Sequence, residues 1–116
     1  MADVIETIRS SSSGTVGRAH SAVRGQRLVL DSSSRAQPDA LTNSEAFLAG
    51  VSSCGVTLIE GHARDTGVAV TRMDVTIEGV RSAADPARFA GVTMTFEIAG
   101  VTQAQAETLV ETYRNR

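Results

Sequence analysis

Two segments in the second half of the chain alternate apolar and polar residues with the period of a β-strand. The apolar positions are Met73, Val75 and Ile77 in residues 71–79, and Val92, Met94, Phe96 and Ile98 in residues 89–100. Because one face of each segment is apolar and the other polar, we predict an antiparallel pair of strands. We expect the apolar faces of both strands to be buried against helices.

The N-terminal third favours an antiparallel meander of three strands. The predicted strands are residues 3–9, 15–24 and 27–31. The serine-rich residues 10–14 break the pattern between the first two strands, and Arg24-Gly25-Gln26 provides a turn between the second and third. The polar residues 32–40, which include a proline, are expected to form a loop.

Between these two regions the sequence predicts a long helix from Thr42 to Gly67. Thr42 and Glu45 have the spacing of a capping box, and Gly67 follows Arg64 as a helix terminator. One face of this helix is apolar and carries Phe47, Val51, Cys54 and Leu58, with Leu48 and Ile59 beside it. We expect that face to be buried.

Small residues are unusually frequent along the same helix. Gly50, Gly55 and Gly61 each cost roughly 1 kcal/mol of helix propensity relative to alanine. A helix that gives up this much propensity is predicted to be buried and closely crossed by another element.

The last segment, residues 102–116, predicts a second helix. Thr102 and Gln105 have capping-box spacing. The apolar stripe of this helix consists of Ala106, Leu109, Val110 and Tyr113. The predicted order is therefore β-β-β-α-β-β-α, an α+β fold in a single domain spanning residues 1–116.

Length and charge narrow the classes of function. The chain has 116 residues, a net charge of −2 and a pI near 5.6, and all of its basic residues other than histidine are arginines. This balance argues against nucleic acid or an anionic membrane as a partner. No apolar run is long enough to cross a bilayer and no signal-peptide pattern is present, so we expect a cytoplasmic protein. A chain of this length buries a modest core, which oligomerisation would enlarge.

Residues 42–58, TNSEAFLAGVSSCGVTL, resemble the central helix of the OsmC/Ohr family. The matching positions are the helix start at Ser44-Glu45 and the Ser53-Cys54 pair, and the order of elements on both sides agrees as well. The resemblance implies an OsmC-like fold, with antiparallel sheets packed on a buried central helix. It also implies two intertwined subunits that form a homodimer with sites at the interface.

The resemblance further implies a cysteine-dependent reductase of organic hydroperoxides that needs no cofactor. Cys54 matches the peroxidatic cysteine of the family and Glu45 matches its helix-start glutamate. The family also places an N-terminal arginine beside the thiolate. Arg18, Arg24 and Arg27 are candidates, and we favour Arg18 because it lies in a strand next to a glycine.

The family's second cysteine, in a Cys-Pro motif, has no counterpart in this sequence, which reaches Arg116 about where that motif would begin. Cys54 is the single cysteine. Either the Cys-Pro segment follows Arg116 or the protein lacks it, and without a second cysteine an external thiol would have to regenerate the enzyme. The partners implied are a small-molecule peroxide, this thiol and a second copy of the chain.

Simpler interpretations stand beside these. A single cysteine on an apolar stripe is often a buried, inert side chain, and Glu45 is already explained as the third residue of a capping box. His20 and His62 are too far from each other and from Cys54 in sequence to form a recognisable metal site. The alternative functions are a non-catalytic dimer that binds a small hydrophobic ligand, and a structural or interaction protein.

The spacing of Glu45 and Cys54 bears on the dimer. They are nine positions apart, which on a straight helix is half a turn out of phase and ~13–14 Å along the axis. If both residues serve one thiolate, either a second copy of the helix or a sharp bend at the glycines must bring them together.

Overall fold

The structure is a computed structural model that describes residues 3–114. Its elements are β1 (Arg9–Ser12), β2 (Arg18–Val23), β3 (Gln26–Asp31), α1 (Asn43–Asp65), β4 (Arg72–Val80), β5 (Gly91–Ala99) and α2 (Gln103–Arg114). The predicted α+β class and element order are confirmed. The chain divides into two compact units, the first ending at Phe47 and the second beginning at Leu48.

The first unit contains an antiparallel sheet in the order β1-β2-β3. The turn between β2 and β3 occupies Arg24 and Gly25, whose φ angles of 52° and 80° are both positive, as in the two-residue turns that match the twist of a hairpin. This turn pairs Val23 with Gln26 and, at the far end of the hairpin, Arg18 with Asp31.

The position predicted for the first strand is wrong. The strand lies at Arg9–Ser12, within the serine run that was expected to interrupt the sheet, whereas residues 3–8 form no strand. Cross-strand pairing explains the difference, because strand formation depends more on partners than on intrinsic propensity. Arg9 pairs with Ala22, and the hydroxyl groups of Ser10 and Ser21 are hydrogen bonded at 2.8 Å.

Helix α1 begins with the predicted capping box. The backbone N–H of Glu45 donates to Thr42 Oγ1 at 3.1 Å, and the N–H of Thr42 donates to Glu45 Oε1 at 2.8 Å. The chain leaves the helix at Gly67, which has a φ of 73° and so adopts the left-handed conformation that glycine allows. The predicted limits of the helix are confirmed to within two residues at each end.

The predicted buried face of α1 is confirmed only in part, since Ile59 is fully buried and Leu48, Val51 and Leu58 are half-buried. Its buried residues are Gly55, Ile59 and Ala63, whereas Phe47 is 60% exposed and Cys54 is exposed. The absence of a side chain at Gly55 allows close packing on this face, since a Cβ atom there would lie only 3.2–3.6 Å from atoms of three side chains. These belong to Met94, Phe96 and Tyr113.

The predicted close crossing therefore holds at Gly55 alone within the described residues. A Cβ atom added at Gly50 or at Gly61 would meet no atom within 4 Å.

Strands β4 and β5 form an antiparallel hairpin in the second unit, as predicted. Of the seven side chains expected to be buried, six are half-buried, namely Met73, Val75, Ile77, Met94, Phe96 and Ile98. Val92 is 45% exposed, which corrects the prediction for that residue. Val92 pairs with Gly79 near the loop end of the hairpin. The core cluster instead contacts Met73, Phe96 and Ile98, which lie nearer the opposite end of the hairpin.

Helix α2 completes the core of the second unit. Thr102 and Gln105 form a second capping box, with hydrogen bonds of 2.9 and 3.1 Å. Leu109 is 2% exposed and joins Ile59 and Ala63 of α1 in the core cluster. The last two residues of the predicted segment, 115 and 116, lie outside the described residues.

Candidate functional site

Arg18, the arginine favoured by the sequence, is held by two aspartates within the first unit. Its Nε donates to Asp31 Oδ2 at 3.0 Å. Its Nη2 and Nη1 donate to the two carboxylate oxygens of Asp39 at 2.8 and 3.2 Å, which makes that contact bidentate. Three of the five guanidinium N–H groups are thus donated to carboxylates.

Local structure explains why these groups meet. The two-residue turn of the β2–β3 hairpin fixes the register that sets Arg18 opposite Asp31. Asp39 comes from the loop after β3, whose start is tied back to the sheet by a bond from the N–H of Ser32 to the carbonyl oxygen of Gly17 at 2.8 Å. Gly17 has a φ of 94°, which favours glycine, and a Cβ atom there would lie only 3.0–3.1 Å from three atoms of Ser33.

The cluster is charged throughout. Asp31 is 4% exposed and accepts hydrogen bonds from the hydroxyl and the N–H of Ser33, and these bonds, followed by the one from Arg18, lower the pKa of its carboxyl group. The bond from Arg18 likewise lowers the pKa of Asp39, and the two carboxylates raise the pKa of Arg18. At neutral pH the three side chains carry one net negative charge.

Glu45 is engaged in the cap of α1. Its Oε1 accepts the hydrogen bond from the N–H of Thr42, which is the role that the capping-box spacing predicts. The aspartates, rather than Glu45, hold the guanidinium of Arg18 in the described structure.

Cys54 is exposed on α1 and is not the buried small side chain that its apolar neighbours indicated. Val51 and Leu58, which flank it at helical spacing, are half-buried. The backbone carbonyl of Cys54 accepts a hydrogen bond of 3.4 Å from the hydroxyl of Thr57. A thiol in this position is accessible to small molecules in the single chain.

Asp31 and Asp39 are the site residues that the sequence analysis missed. A signal was present for Asp31, because a two-residue turn at Arg24-Gly25 places residue 31 directly across from residue 18. Asp39 lies in an irregular loop, where no periodicity indicates its neighbours.

Residues 3–114 contain no group of three or more histidine, cysteine, aspartate or glutamate side chains positioned to hold a metal ion. Neither helix in the same range combines the length and the apolar character needed to cross a membrane.

Comparison with known proteins identifies the fold. No family model and no curated protein sequence matches the chain. Solved structures do match. An OsmC-like protein from Mycoplasma pneumoniae is 13% identical with a TM-score of 0.86, over 99% of this chain and 84% of its own. An organic hydroperoxide resistance protein OsmC from Legionella pneumophila is 22% identical with a TM-score of 0.74, and the match covers 99% of this chain and 85% of that protein.

A third similar structure is an organic hydroperoxide resistance protein from Elizabethkingia anophelis. It is 19% identical with a TM-score of 0.75, over 98% of this chain and 85% of its own. The chain therefore has the OsmC-like fold, and the resemblance inferred from residues 42–58 is confirmed at the level of the fold. At these identities the likeness does not extend to the chemistry of individual residues.

Proposed function

We propose that the protein is a cysteine-dependent reductase of organic hydroperoxides in which Cys54 is the reacting residue. The observation that carries the proposal is that the single cysteine of an OsmC-like chain lies exposed on α1, at the position where the sequence resembles the Ser-Cys pair of the family. Two of the similar structures are organic hydroperoxide resistance proteins, which supports organic hydroperoxides as the class of substrate.

In the proposed reaction the Cys54 thiolate attacks the distal oxygen of the hydroperoxide. A sulfur–oxygen bond forms while the oxygen–oxygen bond breaks, and the alkoxide leaves with the electron pair and takes up a proton to become an alcohol. The sulfur is oxidised to sulfenic acid and the peroxide is reduced. A small external thiol then condenses with the sulfenic acid and releases water, and a second such thiol restores Cys54 by disulfide exchange.

Arg18 is proposed to stabilise the thiolate and the leaving alkoxide. Two aspartates already orient its guanidinium, and its remaining N–H groups suit an anion. The apolar Val51 and Leu58 beside Cys54 would favour an organic peroxide over hydrogen peroxide.

The proposed assembly is a homodimer. Glu45 and Cys54 lie nine positions apart on α1, which places them on opposite sides of a straight helix. Gly50 is open in the single chain, with no atom within 4 Å of an added Cβ, and so leaves room for close approach of a second copy. In a symmetric dimer Glu45 of each chain would serve Cys54 of the other.

The direct test is consumption of an organic hydroperoxide in the presence of a dithiol, with Cys54→Ser as the variant. Serine is nearly isosteric, so the fold should be retained while peroxide consumption falls to the uncatalysed rate. Activity retained in that variant would refute the thiol mechanism.

The rate of alkylation of Cys54 against pH separates the enzyme from the alternatives. A reacting thiolate should show a midpoint clearly below the free cysteine value of about 8.5. An unshifted midpoint, together with saturable binding of an apolar dye that Cys54→Ser leaves intact, would favour the non-catalytic ligand-binding dimer instead.

A further inference from the structure

A groove on the exposed face of the three-stranded sheet gathers basic side chains. Its volume is about 260 Å³, well above the ~30 Å³ share of one water molecule. The residues lining it are Arg9, Ser11, His20, Ala22 and Arg27, all of them exposed in the chain. Neither arginine is assigned to the peroxide chemistry proposed above.

The register of the sheet brings these residues to one face. Arg9 and Arg27 are both direct cross-strand partners of Ala22, one from each neighbouring strand. Their Cα atoms are therefore about 10 Å apart, with only a methyl group between them. Ser11 and His20 form the next cross-strand pair on the same face, two residues along β1 and β2.

Charge on this face is unbalanced. Within residues 3–114 neither Arg9 nor Arg27 has an ion-pair partner. Among the strand residues of this face the nearest carboxylate is Asp31, four residues from Arg27 along β3 and so about 13 Å away, and it is already paired with Arg18. Arg27 also borders a second groove with Glu45 and with Asp39, which is likewise paired with Arg18. Two arginines that line one groove on either side of an alanine repel each other weakly through water, and an anion bound between them would offset that repulsion.

From this arrangement we infer that the groove binds a phosphate group, as a free ion or as the monoester of a small molecule. Two arginines suit a doubly charged oxyanion because each guanidinium donates paired N–H groups to neighbouring oxygens. The Ser11 hydroxyl and the His20 imidazole supply further hydrogen-bonding groups at the adjacent pair. The size of the groove leaves room for a small organic group attached to the phosphate.

The test is titration of the full chain with inorganic phosphate at pH 7.5, followed by amide NMR, in the Cys54→Ser background so that thiol chemistry plays no part. Sodium chloride at equal ionic strength is the reference for charge screening. We expect saturable shifts centred on Arg9, His20, Ala22 and Arg27. Acetate, with one charge, should bind at least about tenfold more weakly.

Variants locate the site. Arg9→Gln and Arg27→Gln should each weaken phosphate binding about tenfold, the scale of one charge-assisted hydrogen bond. Arg35→Gln removes the same charge from a loop of the same unit and should leave binding unchanged. Ala22→Glu should abolish binding by placing a carboxylate between the arginines. An equal effect of Arg35→Gln, shifts no larger than those with sodium chloride, or equal binding of acetate would each overturn the inference.

A separate comparison keeps this inference apart from the proposed function. Phosphate binding should be the same in the wild-type chain and in Cys54→Ser, whereas peroxide consumption should differ between them. Loss of phosphate binding on removal of the thiol would contradict an independent site.

Discussion

Arg18 donates a hydrogen bond of 3.0 Å to the buried carboxylate of Asp31, directly across the β2–β3 hairpin. The same carboxylate accepts two hydrogen bonds from Ser33. Asp31 thus joins the strand, the loop that follows it and the arginine proposed to face the thiolate. A single carboxylate serves both the stability of the first unit and the orientation of Arg18.

The first prediction concerns this carboxylate. Asp31→Asn should lower the urea midpoint of unfolding clearly, because the amide cannot accept from Ser33 and Arg18 as a carboxylate does. Asp74→Asn is the matched control, since its ion pair with Arg72 is solvent-exposed and should contribute little. Equal midpoints for the two variants would show that the Asp31 cluster adds nothing beyond a surface ion pair.

The second prediction concerns acid. The pKa values of Asp31 and Asp39 are lowered in the folded chain, so their contribution to stability is fully present above the unfolded value of about 3.9 and is lost as the pH falls through the folded values. The urea midpoint of the wild type should therefore decline below about pH 4 more steeply than that of Asp31→Asn/Asp39→Asn. Parallel curves for the two proteins would contradict the assignment, since all other carboxylates are shared.

The strands and helices follow from local sequence signals wherever those signals are strong. The alternation in β4 and β5 and the two capping boxes are properties of neighbouring residues, and each is observed. The strand β1 could not be located in this way. Its serines favour a strand only because β2 lies beside them, as the bond between Ser10 and Ser21 shows.

The sequence predicted the buried face of α1 only in part, for a different reason. The predicted apolar stripe was centred on Phe47, Val51, Cys54 and Leu58, whereas the observed buried face combines the large Ile59 with the small Gly55 and Ala63. The structure buries Gly55 because its lack of a side chain lets Met94 and Phe96 approach, a gain from packing that a hydrophobic stripe does not reveal. Cys54, at the centre of the predicted stripe, lies outside this buried face and is exposed.

The third prediction uses two glycines of α1. Gly55→Leu should destabilise the protein by about 1–3 kcal/mol because the larger side chain overpacks the contacts with Met94, Phe96 and Tyr113. Gly61→Ala should stabilise it by about 0.5–1 kcal/mol, since the added methyl group meets no atom within 4 Å and alanine favours the helix. Chemical denaturation measures both. A stabilising Gly55→Leu would mean that the packing around Gly55 is loose.

The fourth prediction concerns the role of Glu45, whose carboxylate caps α1 through Thr42. Glutamine also serves in a capping box, so Glu45→Gln should keep the helical circular dichroism and the urea midpoint nearly unchanged. If the carboxylate also acts on the thiolate, peroxide consumption should nevertheless fall by at least about tenfold. Full activity in this variant would leave Glu45 with the cap as its only role.

Subunit mixing then tests whether Glu45 acts across a dimer. Glu45→Gln and Cys54→Ser chains are each inactive on the proposed mechanism, but a mixed dimer contains one site with Glu45 from one chain and Cys54 from the other. Random exchange gives mixed dimers in half of the population, with one intact site in two, so activity should return to about one quarter of the wild-type value. The control replaces the Glu45→Gln chain with the double variant Glu45→Gln/Cys54→Ser, which offers no cysteine and should restore nothing.

A protein that is monomeric in dilute solution, or one whose chains exchange without any return of activity, would rule out a site shared between two copies. In that case Glu45 would have to reach Cys54 through a bend in its own helix at the glycines, and Gly50→Ala, which stiffens α1, should lower activity without changing the oligomeric state.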